Sequence, residues 1–67
     1  MQTRSGVEVY RQADAARRLG VSRTTITRML RRGELHWVDE AGFRLVTSES
    51  LRAAEERLRR LVKLGLV

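Results

Sequence analysis

The chain has 67 residues, enough for one small domain with one small core. It holds no cysteine and a single histidine, His36, which excludes a disulfide framework, thiolate metal sites and His-rich metal clusters. Fourteen Lys and Arg against eight acids give a net charge of +6, unevenly spread. Residues 1–33 carry eight Arg and two acids, whereas residues 34–67 balance six bases against six acids. Excess positive charge confined to one half predicts a polyanion facing that half. A generally Arg-rich composition is the plainer alternative.

Residues 1–6 read as a frayed polar tail. Val7-Glu8-Val9-Tyr10 alternates apolar and polar residues and predicts a short strand in need of a partner. Gln12 to Leu19 reads as a short helix with Ala15, Ala16 and Leu19 on one face and Arg17 and Arg18 on the other. Asp14 in its first turn suits the helix dipole. Gly20 ends this helix, and Val21 is apolar and able to pin the turn. Ser22 is the N-cap of a second helix, its hydroxyl able to accept from an unpaired first-turn amide. That helix stops at Gly33, where a left-handed turn is expected. Ile26, Met29 and Leu30 fall at i, i+3 and i+4, the spacing of one buried stripe. The other side carries Arg23, Thr24, Thr27, Arg28 and Arg31, and no acid. A helix lying in a DNA major groove needs cations for phosphates and compact or bidentate donors for base edges. Helix, short Gly-containing turn, capped second helix is the helix-turn-helix pattern. An ordinary αα-hairpin shares the punctuation without requiring the Thr/Arg face.

Leu35 to Val38 and Phe43 to Val46 predict two strands, with Asp39-Glu40-Ala41-Gly42 as a four-residue hairpin loop. A hairpin directly after the second helix is a wing. Trp37 is expected in the core or at the hinge, since its ring offers the largest burial available; His36 reads as a solvated strand residue. Arg44 is the hairpin's one cation and could reach a phosphate or the minor groove. Asp39 and Glu40, at the expected tip, would be repelled by phosphate. Thr47 caps a last helix in which Leu51, Ala54, Leu58 and Leu61 form a narrow 3-4-3 seam. Glu55–Arg59 and Glu56–Arg60 are i,i+4 pairs in the favourable order. About four turns exceed what so small a core covers. Leu58, Leu61, Val62, Leu64, Leu66 and Val67 are then either a self-association surface or an apolar tail.

The runs Asp14-Ala15-Ala16, Leu19-Gly20-Val21-Ser22, Thr25-Ile26, Arg28 to Leu30 and Arg32-Gly33-Glu34-Leu35 resemble the MerR-like and excisionase group of winged helix-turn-helix domains. The Gly-Phe-Arg wing and the helix start Thr47-Ser48-Glu49-Ser50-Leu51 extend the resemblance, which covers roughly Val9 to Leu58. It implies a mainly α fold with a small β-hairpin wing: about three helices plus a two- or three-stranded sheet over residues 7–61. A disordered tail at 1–6 and an apolar tail at 62–67 would flank it. It also implies a second helix in the major groove, a wing on the adjacent backbone or minor groove, and a prokaryotic or phage setting. By position, Arg23, Thr24, Thr27 and Arg28 take the recognition-helix places and Arg44 the wing's basic place. Arg17, Arg18, Arg31 and Arg32 are expected to neutralise phosphates. The wing departs from the group's pattern in carrying one cation and the Asp39-Glu40 pair. The effector domain and long coiled coil of full MerR regulators are missing, so no small-molecule effector is expected.

The expected function is sequence-specific binding of double-stranded DNA by a small transcriptional regulator. An excisionase, the directionality factor of a mobile element, would use the same surface. A protein-interaction adaptor would use the same fold with the apolar C-terminus as its contact. There is no nucleophile–His–acid set, no Gly-rich phosphate loop and no metal-ligand cluster, so neither an enzyme nor a cofactor is expected. No apolar run approaches the roughly 20 residues that span a bilayer, and no signal-type segment follows the N-terminus. A cytoplasmic, nucleoid-associated protein without a membrane partner is expected.

Overall fold

Turn chemistry sets the architecture. A computed structural model describes residues 1–65, and in it helix α1 (Gln12–Leu19) ends on Gly20 at φ 72°. A side chain is strained in that left-handed conformation, whereas glycine adopts it freely. The Gly20 and Val21 amides donate back to the Arg17 and Ala16 carbonyls and close the helix. Ser22 then caps helix α2 (Arg23–Arg32), its Oγ accepting from the Thr25 amide at 3.1 Å. Helix α2 ends as α1 does, with Gly33 at φ 77° and the Glu34 amide donating to the Met29 carbonyl.

Strands β2 (Trp37–Glu40) and β3 (Phe43–Thr47) form the antiparallel wing, with Asp39 opposite Arg44 and Glu40 opposite Phe43. Its loop has two residues rather than the expected four. Ala41 (φ 50°) and Gly42 (φ 80°) are both left-handed, the arrangement whose twist matches that of the flanking strands. Asp39 and Glu40 are therefore strand residues, set back from the tip.

Strand β1 (Val9–Tyr10) is shorter than the expected four residues, and its partner is β3, giving the order β1-β3-β2. Val9 lies opposite Thr47 and Tyr10 opposite Val46. Residues 1–6 double back along the free edge of β1 instead of fraying. The Val9 amide donates to the Met1 carbonyl (2.7 Å), the Thr3 amide to the Val7 carbonyl (2.9 Å), and the Arg4 amide to Glu40 Oε2 (3.2 Å). An unpaired strand edge offers amides and carbonyls that such a segment can satisfy.

The core joins Ala15 and Ala16 of α1, Ile26 and Leu30 of α2, Leu35, Val46 of β3, and Leu51 and Ala54 of the last helix, α3 (Ser48–Lys63). Fully buried Ile26, Leu35 and Leu51 each contribute about 1.5–3 kcal/mol of transfer free energy. Because β3 alternates, Leu45 is buried on the face away from Val46, the face it shares with Val9 and Glu40. Trp37 is not a core residue: it sits on the edge strand β2 and remains 39% exposed.

Thr47 caps α3 by accepting from the Ser50 amide. Buried Ser50 ties the cap to the strands, its Oγ accepting from the His36 amide (3.1 Å) and from the Thr47 hydroxyl (2.8 Å). The expected pairing along α3 is altered: Glu55 turns to Arg18, and Arg59 pairs with Glu56 at i,i+3. The helix continues through Val62 and Lys63, into the stretch expected as an apolar tail. Leu58 is half-buried, while Leu61, Val62 and Leu64 are exposed. Leu66 and Val67 lie outside the described residues.

Candidate nucleic-acid interface

Helix α2 divides cleanly. Ile26 and Leu30 face the core, and Arg23, Thr24, Thr27, Arg28, Arg31 and Arg32 are all exposed. Among the described residues none of these four arginines forms an ion pair, so their charge is uncompensated. Thr25 is half-buried and serves the cap, its hydroxyl 3.0 Å from that of Ser22. The Thr27 hydroxyl donates back to the Arg23 carbonyl at 3.3 Å, which leaves both of its lone pairs able to accept.

Arg44 stands on strand β3 of the wing. Its guanidinium lies 4.6 Å from the centre of the Trp37 ring, a cation–π stack diagonal across the wing. Its backbone carbonyl accepts from Gln12 Nε2 at 3.3 Å, which fastens the wing to the start of α1. Between wing and helices runs an open groove of about 550 Å³, lined by Arg11, Gln12, Arg23, Glu40, Phe43 and Arg44 among others. Arg11, Arg23 and Arg44, from three separate parts of the chain, thus line one groove, with the Arg44 guanidinium itself stacked on Trp37.

Arg11 was missed in the sequence. It precedes α1 and lies outside any helical face, and its neighbours across the groove belong to distant parts of the chain. One signal was legible. Arg11 stands at the N-cap, where a short acceptor side chain is usual, and it makes no cap hydrogen bond. First-turn amides left without such a cap, beside a guanidinium, favour an anion.

The remaining expected residues separate. Arg17 is strongly exposed and lies 3.7 Å from Asp14, a loose i,i+3 pair. Arg18 is engaged within the fold: its Nε donates to Glu55 Oε2 at 3.1 Å and its Nη1 donates to the Tyr10 hydroxyl. The hydrogen bond and charge of Glu55 raise the Arg18 pKa further above its usual value. Arg18 therefore braces α1 against α3 and β1. The acids of the wing are also better accommodated than expected. Glu40 accepts from the Arg4 amide, Asp39 faces Arg44 across the strands, and the tip itself is Ala41-Gly42.

Among the described residues no cluster of three His, Asp or Glu could hold a metal ion, and no helix is long and apolar enough to cross a membrane. A family model described as a helix-turn-helix domain matches residues 9–59, from the first residue of β1 into the fourth turn of α3. No curated protein and no solved structure gave a match. The matched span contains α1, the Gly20 turn, α2 and the whole wing, and this helix-turn-helix type points to DNA as the partner. The chain belongs to the excisionase-like helix-turn-helix domain family.

Proposed function

We propose that the protein binds double-stranded DNA sequence-specifically as a small transcriptional regulator, with α2 in the major groove and the β2–β3 wing on the adjacent backbone. The observation that carries this reading is the acid-free outer face of α2, whose Arg23 also lines the groove bordered by Arg11 and Arg44. Arg28 and Thr24 reach base edges, with Thr27 and Arg23 beside them. Arg11, Arg17, Arg31 and Arg32 neutralise phosphates. Arg44, steadied by Trp37, meets the strand that separates the two grooves. A single module of this kind covers roughly 600–1,000 Å² of protein surface, which limits its specificity. Side-by-side assembly through Leu58, Leu61, Val62 and Leu64 would extend the site.

Selection of bound duplexes from a randomised library, followed by anisotropy titration, tests this. A recovered consensus is expected, and Arg28→Ala should cost about 1–3 kcal/mol at one base pair and relax preference there. Recovery of no consensus, with equal binding to all duplexes, would overturn sequence-specific regulation. The excisionase-like family supports a second reading, in which the same surface coats attachment-site DNA beside a recombinase. Stimulation of excisive recombination by the protein, with no effect on transcription, would favour it.

A further inference from the structure

Helix α3 outruns the core. Exposure climbs along its apolar seam: Leu51 and Ala54 are at 0%, Leu58 is half-buried, and Leu61, Val62 and Leu64 reach 37%, 61% and 71%. The last two turns, about 11 Å of helix, carry the stripe past the elements that bury its beginning. Leu58, Leu61 and Val62 fall at i, i+3 and i+4 and so share one face. Cations border that face on both sides. Helical spacing puts Arg57 and Arg60 beside Leu61, and Arg59 and Lys63 beside Val62, while residues 57–65 contain no acid. Arg60 and Lys63 suit the negative end of the helix dipole, but Arg57 and Arg59 stand before the last turn. Arg57 donates to the Glu34 carbonyl at 3.3 Å, and Arg59 lies 3.9 Å from Glu56. Among the described residues Arg60 and Lys63 form no ion pair.

Phosphates would answer these cations and leave Leu61 and Val62 with nothing apolar to cover them. A second copy docked tip to tip would cover the stripe but set Arg57, Arg59, Arg60 and Lys63 against the same cations. Copies therefore meet through this stripe only where bound DNA offsets that repulsion. An amphipathic helix with leucines at matching spacing and carboxylates on its flanks answers both the apolar and the charged part. We propose that the free end of α3 is a docking surface for an acidic amphipathic helix of another protein. Stripe packs against stripe with about 8–10 Å between helix axes, and Asp or Glu side chains meet the cations at the rim. Two turns against two turns cover less than the roughly 1,200 Å² of a standard complex. The contact is accordingly transient and weakened by salt. Docking makes no use of the outer face of α2 and stands independently of the DNA-binding reading.

The test uses the full chain and a fluorescein-labelled synthetic helix of about four turns, with leucines at i, i+3, i+4 and i+7 and glutamates on both flanks. A scrambled peptide of the same composition and a peptide with lysine flanks are the controls. Anisotropy at low salt should give micromolar binding to the acidic helix and about tenfold weaker binding, or less, to either control. The double variant Leu61→Ser/Val62→Ser, at exposed positions, should lose about tenfold or more in affinity. Arg60→Glu/Lys63→Glu should weaken the acidic helix and strengthen the lysine-flanked one, although the chain stays net positive. Circular dichroism confirms that each variant is folded, and the charge reversal keeps the test decisive if the serine variant is not. Amide shift changes in NMR titrations should centre on the last two turns of α3. Equal affinity for the acidic helix and its scramble, or shift changes centred on α2, would overturn the proposal by reducing it to attraction of charge. A dimer of the DNA-free chain that the serine variant loses would assign the stripe to a second copy and overturn it as well. Binding to phosphatidylglycerol vesicles through the same residues, with none to the peptide, would assign it to a membrane surface with the same result.

Discussion

Separate substitution of Arg11 and Arg18 by alanine distinguishes the geometry from a simple count of charges. The two residues lie seven positions apart at the ends of α1, with opposite assignments. Arg11 is exposed, shares a groove with Arg23 and Arg44, and has no ion-pair partner among the described residues. Arg18 is held by Glu55 and Tyr10. Each phosphate contact adds about 0.9 to the slope of log K against log salt. For one lost contact this amounts to a loss of about eightfold in affinity at about 0.1 M salt and about fourfold at about 0.2 M. Arg11→Ala should show both the flatter slope and this falling penalty, with an unchanged Tm. Arg18→Ala should leave the slope unaltered and lower Tm, because the brace between α1 and α3 is lost. Anisotropy over a salt series, beside thermal unfolding, reads both quantities. A flatter slope for Arg18→Ala with none for Arg11→Ala would refute the convergence of wing and helices on one DNA-facing groove.

Three further substitutions probe what holds that groove together. Ser50→Ala strands the His36 amide and the Thr47 hydroxyl, and should cost about 1–3 kcal/mol in urea unfolding, lowering Tm by roughly 4–24 °C. A loss under about 0.5 kcal/mol would mean that water replaces the serine at no cost. Ala41→Asn should raise stability by about 0.5–1 kcal/mol, since asparagine tolerates the left-handed conformation that alanine resists; unchanged unfolding would contradict the turn geometry. Trp37→Ala should weaken DNA binding by about 0.5–1 kcal/mol through the freed Arg44 side chain. In the Arg44→Ala background the same change should have no further effect.

Helix limits were legible because their signals are local. Ser22 and Thr47 cap at the expected positions, and Gly20 and Gly33 end their helices in the expected conformation. The outer face of α2 was legible for the same reason, since a 3.6-residue period needs no knowledge of the rest of the chain. The misread features depend on residues far apart in sequence. Glu55 had a good helical partner in Arg59, yet Arg18 approaches from α1 once the core closes. Arg11 gains its meaning only when the wing swings beside it. The hairpin loop was read two residues too long because Ala41 occupies a left-handed position that its type usually avoids. Residues 1–6 looked unstructured because nothing in their composition reveals that β1 leaves an edge open.

The clean division of α2 has an evolutionary consequence. Arg23, Thr24, Thr27 and Arg28 lie outside the core, and the one side-chain hydrogen bond among them is the local contact from the Thr27 hydroxyl to the Arg23 carbonyl. Cap, stripe and stop are supplied by Ser22, Thr25, Ile26, Leu30 and Gly33, a separate set. Exposed substitutions of this kind usually change stability by no more than about 0.5 kcal/mol. The four outward positions can therefore drift, or be randomised in the laboratory, while folding is left almost untouched. On the proposed reading of that face, new target preferences would be reachable by single steps from a scaffold that stays folded at every one of them.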